Sequence, residues 1–431
     1  MRASTRRRSR SSVIPARPAA PLVALIVALI VALLVTPCRL AAGQRAISRA
    51  DAIHDALAAG PRLALARADS SAARARELGA RAFPNPTLLA SYTKSAPQRH
   101  LEMELPLDAP WVRGARVRAA AALTRAAELR LLSERDAVVV DVDTTYTQAL
   151  AADARFQLAR QTARDADSLR AMTAARRDAG DASDLDVDLA TLAAGQQANA
   201  ASDDSLAAMS VLLELQSLMG IPADSAAIVL ADSLRPPAGD SVPAAPTLLA
   251  ARAGDATPSV AAAEASLRAA ELGIASARRS VLGLPALTFG VEEGDPSGDE
   301  PGTLPTVGLA LPIPLLDRNR GGIAEASAER VRARAELAAA RLESRRRVVE
   351  GTREREALRV RVARDADLVI RAQRVAARSL TAYREGAFAL PAVLEARRTA
   401  REVQQQYIDD VAALLIVEAE LRALARTVPT P

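Results

Sequence analysis

Two tracts of this chain, Gly114 to Gly180 and Gly322 to Gly386, contain no proline and are rich in alanine and arginine. Proline breaks a helix interior and alanine favours one, so each tract reads as a single continuous helix. At 1.5 Å rise per residue, about 65 residues make a rod of roughly 100 Å, which must find partners along its whole length. In the first rod Leu132, Val139, Val142, Tyr146, Ala149, Phe156, Ala159, Ala163 and Ala166 keep heptad spacing, with Arg135 and Asp153 interrupting the seam. In the second, Ala363, Ala366, Ile370, Ala377 and Leu380 do the same with Gln373 in line, after a break near Gly351. Heptads of small residues predict closely packed coiled-coil helices. Only 2% of residues are aromatic, which suits this packing better than a bulky globular interior.

The rods belong to an internal repeat, about residues 44–222 and 251–426, separated by a proline-rich linker at 223–250 and followed by a short tail, 427–431. Each half opens with an alanine-rich helix, Ile47 to Ala82 (broken at Gly60-Pro61) and Ser259 to Leu282. Each helix ends at a proline, in Phe83-Pro84-Asn85-Pro86 and in Leu282-Gly283-Leu284-Pro285. Short segments of period two follow. Leu101, Met103 and Leu105 alternate with Glu102 and Glu104, beside a weaker partner at Thr87 to Lys94. Leu287, Phe289 and Val291 alternate with Thr288, Gly290 and Glu292, and Val307, Leu309 and Leu311 with Gly308 and Ala310. Period two predicts strands with one apolar face, a hairpin in each half. After each rod a glycine turn, Gly180 to Ser183 or Gly386 to Ala389, leads into a return helix of about 35 residues, Asp184 to Met219 or Pro391 to Ala425. A return helix and an opening helix stacked end to end nearly match one rod.

The N-terminus carries Arg2, Arg6, Arg7, Arg8 and Arg10, then the apolar run Leu22 to Val35, then Ala41-Ala42-Gly43. That order is a secretory leader, residues 1–43. The run is 14 residues, short of the roughly 20 a bilayer span requires. Cleavage after Gly43 removes seven of the 56 basic residues and none of the 51 acidic ones, so the formal charge of +5 becomes −2 and nucleic acid is not expected as a partner. Cys38, the one cysteine, loosely resembles the acylated position of a lipoprotein leader, although Pro37 precedes it. The mature chain can form no internal disulfide.

Four strands with one apolar face cannot stand alone in hydrocarbon, because their edges would leave backbone groups unpaired. Chains must pool strands, and barrels of even strand number from eight upwards admit two or three copies. The stretch LPIPLLDRNRGGIAEASAER, Leu311 to Arg330, resembles the strand-to-helix junction of CzcC/CusC-type cation-efflux outer-membrane components, with Pro314, Asp317, Arg318, Asn319, Arg320 and Gly321 at its centre. Pro84 to Pro86 and Glu104 to Leu107 resemble their first-half counterparts. With the paired glycine tips and the leader, nearly all of the mature chain resembles the TolC-like outer-membrane factor family. The resemblance implies a mainly α fold with a small β part. Long coiled-coil helices would form an α-barrel in the periplasm, and four strands per chain would join a trimeric, 12-stranded outer-membrane β-barrel. It also implies a periplasmic adaptor and an inner-membrane pump of the RND type as partners, with this chain as passive duct.

The tips resemble the family's adaptor-contact motif: Tyr383, Gly386 and Glu395 in the second half, and Gly180, Ser183, Leu185, Asp186 and Val187 in the first. Ala392 replaces the first acidic position of the second tip. Helix capping alone also explains the glycines and the acidic residues that follow. Glu102, Glu104 and Glu292 are expected to face the lumen, where threefold repetition would make acidic rings. Trp111 suits a membrane interface or the packing of the strand-to-helix bend. His54 and His100 are the only histidines and read as surface residues, and soft-metal sites require clusters of such ligands. No nucleophile triad, phosphate loop or zinc spacing occurs, so neither an enzyme nor a cofactor is expected. Heavy-metal cations are the expected cargo class. Drug or small-molecule efflux and type I protein secretion suit the same architecture. A periplasmic coiled-coil adaptor, the alternative of another class, would carry one helical hairpin rather than two.

Overall fold

A computed structural model describes residues 45–94, 98–237, 257–281, 283–293 and 302–425. The leader 1–43 with Cys38, the tail 427–431, residues 238–250 of the linker and most of both hairpin turns lie outside the described residues. The first half comprises β1 (Arg45–Ile47), α1 (Arg49–Ala59), α2 (Pro61–Arg81), β2 (Thr87–Tyr92), β3 (Arg99–Pro106), α3 (Pro110–Asp178) and α4 (Asp184–Leu218). Then come β4 (Ile228–Leu230), α5 (Pro258–Arg279), β5 (Ala286–Glu293), β6 (Thr303–Ala310), α6 (Arg320–Arg384) and α7 (Leu390–Leu424).

The rods α3 and α6, of 69 and 65 residues, are unbroken. Against α3 lie α2 and α4 on one side, α5 and α7 on the other, and α6 packs against α5 and α7 in turn. The shorter helices therefore do share the flank of a rod. Gly351 does not interrupt α6. It is buried where α7 crosses, and a Cβ there would lie 3.2 Å from Leu421 Cδ2, so its missing side chain admits the neighbouring helix.

The packing seam of α6 differs from the expected one. Leu358, Val362, Asp365, Val369, Ala372, Ala376, Ser379 and Tyr383 form the buried or half-buried heptad line, one position before the line that includes Ala363, Ile370 and Ala377. Those three are exposed, whereas Ala366 and Leu380 of the expected line are half-buried, Leu380 against the cluster that contains Tyr383. The first rod follows expectation from Val142 to Ala166, although Leu132 is exposed.

At mid-length a cluster of Ile47, Ala52, Ala56, Val142, Tyr146, Leu215, Met219 and Ile228 ties α1, α3 and α4 to a small sheet in which β1 pairs with β4. Part of the expected linker is thus structured. The Tyr146 hydroxyl donates to the Ile47 carbonyl at 2.9 Å and to Asp232 Oδ2 at 2.8 Å. Burial first, then that carboxylate, push its pKa up to about 12.

The other sheet is antiparallel with strand order β2-β3-β5-β6, so β3 and β5 join the two repeats and β2 and β6 form the edges. Its strands of six to eight residues rise about 3.3 Å per residue, close to the height of a barrel's apolar band. No helix among the described residues is long and apolar enough to cross a membrane.

Candidate functional site

Strand register fixes the two faces of the sheet. Leu101 opposes Val291, Met103 opposes Phe289 and Leu105 opposes Leu287, while Val307 and Leu309 continue this apolar face across β6. On the opposite face Glu102 pairs with Gly290, Glu104 with Thr288 and His100 with Glu292. Glu102, Glu104 and Glu292 therefore share one polar face. His100 Nδ1 lies 3.5 Å from Glu292 Oε1, a contact that counting histidines did not anticipate. Among the described residues no group of three or more His, Cys, Asp or Glu side chains is placed to hold a metal ion.

At the far end the two glycine turns adopt the conformation that favours glycine, with φ of 86° at Gly180 and 76° at Gly386. Ser183 caps α4. Its hydroxyl accepts from the Asp186 N–H at 3.1 Å, while the Asp186 carboxylate accepts from the Ser183 N–H at 3.1 Å and hydroxyl at 2.8 Å. Asp186 thus spends its carboxylate on the cap. Tyr383 is 5% exposed and packs with Leu169, Ala190, Leu390 and Val393, so its ring joins the hairpins instead of facing outward. Thr173 meets its hydroxyl at 3.2 Å, and the Arg176 guanidinium lies over its ring. Gly180, Ser183, Gly386 and Glu395 are exposed, as are Leu185 and Phe388, the last a tip residue that the sequence did not single out.

Above the tip the two hairpins diverge around a groove of about 800 Å³. Leu189, Leu192 and Gln196 of α4 wall it on one side, Gln373, Ala377 and Leu380 of α6 on the other. Asp165, Arg397 and Arg401 are among its lining, as is Glu395. The heptad line read from the second rod thus belongs in part to this open groove. Arg397 has its pKa lowered, chiefly by burial.

At the strand-to-helix junction Pro314 and Asn319 are half-buried, and Asp317, Arg318, Arg320 and Gly321 are exposed. Trp111 is exposed rather than packed into the bend.

The model of one protein family, described as outer membrane efflux protein, matches residues 52–221 and 249–425, well over half of the chain. The chain belongs to the outer membrane efflux protein family. Solved structures of TolC-like channels have the same fold. A membrane protein from Pseudomonas aeruginosa is 25% identical with TM-score 0.73, over 88% of this chain and 93% of its own. The outer membrane protein VceC from Vibrio cholerae is 17% identical with TM-score 0.71, over 88% and 96%. CusC is 19% identical with TM-score 0.67, over 87% and 91%. No curated protein sequence matches. An outer membrane efflux protein is a passive channel and not an enzyme.

Proposed function

We propose that three copies of this outer membrane efflux protein close into one duct, a 12-stranded β-barrel continued by a helical tunnel into the periplasm. It would serve as the exit of a tripartite efflux assembly with a periplasmic adaptor and an RND-type inner-membrane pump. The observation that carries the reading is the four-stranded sheet with an apolar face and two edge strands, β2 and β6, joined directly to rods of some 100 Å. Hydrocarbon admits such a sheet only when both edges are paired, and further copies supply those edges. Exposed lines at seven-residue spacing support more helix packing than one chain contains: Leu185, Leu192 and Leu206 on α4, with Asn199 in line, and Ala363 and Ile370 on α6.

The groove between the hairpins has the shape and lining to receive helices of an adaptor, with Gly180, Ser183, Asp186, Tyr383, Gly386 and Glu395 forming or bracing the tips beside it. Heavy-metal cations are the proposed cargo, favoured by the polar face of Glu102, Glu104 and Glu292. Drug efflux and protein secretion would use the same duct. The resemblance of Leu311 to Arg330 to cation-efflux components is the observation that favours metal.

Light scattering of the detergent-solubilised mature protein tests the assembly, with a trimer expected. A monomeric particle that adds no conductance to planar bilayers would refute the duct. Ala377→Trp, which fills the groove from an exposed position, is expected to leave conductance unchanged while reducing efflux in cells at least about tenfold.

A further inference from the structure

The segment that joins β6 to α6, residues 311–319, is held from several directions. Asn319 adopts a left-handed backbone with φ of 52°, and its side-chain amide donates to the Ala277 carbonyl at 2.8 Å and to Ser280 Oγ at 3.0 Å, at the end of α5. Its backbone N–H donates to Asp317 Oδ1 at 2.8 Å. The Leu315 N–H donates to the Ile313 carbonyl at 2.8 Å, closing a tight turn. Pro312 lies so close to Gly283 that a Cβ there would stand 2.8 Å from its ring, and Pro312 and Pro314 each fix their own φ.

A segment pinned this firmly could tuck its apolar side chains inward. It does the opposite. Ile313 and Leu315 are 70% and 73% exposed and Leu316 is fully exposed. Each forgoes most of the stabilisation that burial would bring, and a rigid scaffold loses little further entropy when something else covers them. Leu311 and Ile313 extend the period-two line of Val307 and Leu309, the apolar face of β6. Arg318 and Arg320, both exposed, follow at once. An apolar band succeeded by cations has the order of a bilayer edge, acyl chains and then phosphates.

We propose that this junction is a membrane-interface anchor, in which Ile313, Leu315 and Leu316 enter the acyl region of the periplasm-facing leaflet and Arg318 and Arg320 meet phospholipid phosphates. The inference rests on the outer-membrane barrel reading and adds a lipid site to it. Phospholipid suits the surface better than a second copy of the chain, because the apolar line continues the face that β6 turns to hydrocarbon and ends in cations.

Trp111 is the only tryptophan, so Trp111→Phe gives a silent background. In that background Leu316→Trp reports on the junction and Val307→Trp on the apolar face of β6, each in full-length protein reconstituted into vesicles of phosphatidylglycerol brominated near the headgroup end of its acyl chains. Both fluorophores are expected to lose at least about half of their emission relative to unbrominated vesicles. Quenching at Val307→Trp with none at Leu316→Trp would overturn the anchor and leave the barrel standing. Blue-shifted but unquenched emission at Leu316→Trp would assign the loop to a neighbouring copy and overturn the anchor as well. If neither site is quenched, the barrel reading itself falls. Adding Arg318→Gln and Arg320→Gln to Leu316→Trp is expected to weaken quenching at least about twofold, and unchanged quenching would remove the phosphate contact from the proposal.

Discussion

The guanidinium of Arg176, near the end of α3, lies 4.7 Å from the centroid of the Tyr383 ring, near the end of α6. Arg176 also donates to the Tyr383 carbonyl, and the Tyr383 hydroxyl meets Thr173. One residue from each repeat thus locks the two tips of a chain together. Arg176→Ala removes a cation–π contact and a charged hydrogen bond, together about 2 kcal/mol, or roughly thirtyfold in an equilibrium between joined and separated tips. The variant is expected to raise the open probability of single channels in planar bilayers. An open probability equal to that of the parent protein would mean that this pair does not hold the tips.

Asp365 of α6 and Asp410 of α7 form a second junction, both buried and each within electrostatic reach of the other. Arg361 pairs with Asp410, Gln406 Nε2 donates to Asp410 Oδ1 at 3.0 Å, and Arg364 lies 3.8 Å from Asp365. Asp410 Oδ2 is buried without a hydrogen-bond partner among the described residues, and a proton on Asp365 would supply one. Burial first, then Asp410, raise the Asp365 pKa above its ordinary value. The native state therefore retains a proton that the unfolded chain releases. Stability is expected to fall as pH rises from the ordinary aspartate range through the raised pKa. Asp365→Asn, a permanent donor, should flatten that slope in thermal melts. A Tm that follows the parent protein at every pH would show that no proton is shared.

The sequence made the rods, strands and turns legible because proline, glycine and period two act locally. It misled on the seam of α6 because that helix carries two heptad lines and only one of them packs within the chain. The buried line contains Asp365 and Ser379, polar residues that read as solvent-facing until Asp410 across the helix pair, for the one, and the Ala376 carbonyl of the same helix, for the other, are placed beside them. The line with Ala363, Ile370 and Ala377 looks apolar but is exposed in the chain, and its lower part borders the groove. Arg176 was equally hidden. Its role depends on Tyr383, 207 positions away in the other repeat, and nothing local marks one arginine among so many. The glutamates were readable as one face once the strands were, since alternation sets facing.

The Ile47 contact also bears on Cys38, which lies outside the described residues. Ile47 is fixed beside Tyr146, and 36 helical steps separate Tyr146 from Pro110 at the sheet end of α3, about 54 Å. The nine residues from Cys38 to Ile47 span at most about 32 Å even when fully extended. The backbone at Cys38 would thus end some 20 Å short of the sheet's near edge. Cys38→Ser is therefore expected to leave the protein in the outer-membrane fraction, with Gln44 as the first residue of the mature chain by intact mass. A mature chain beginning at an acylated Cys38 would contradict this reach argument.

Neutralising the polar sheet face tests the proposed lumen. Glu102 and Glu104 lie on it, whereas Glu293 falls on the apolar face, paired with Arg99 at 3.4 Å. Three copies of Glu102 and Glu104 would make six carboxylates around one water-filled bore, which attracts cations and repels anions. Glu102→Gln with Glu104→Gln is expected to lower the potassium-to-chloride permeability ratio, taken from reversal potentials, by at least about twofold. Glu293→Gln should leave the ratio where it was, because its charge stands on the other face at the rim. If both substitutions change selectivity equally, the two faces have been assigned wrongly. If neither does, the ions pass elsewhere than along Glu102 and Glu104, and the case for a cation cargo loses its support from the sheet.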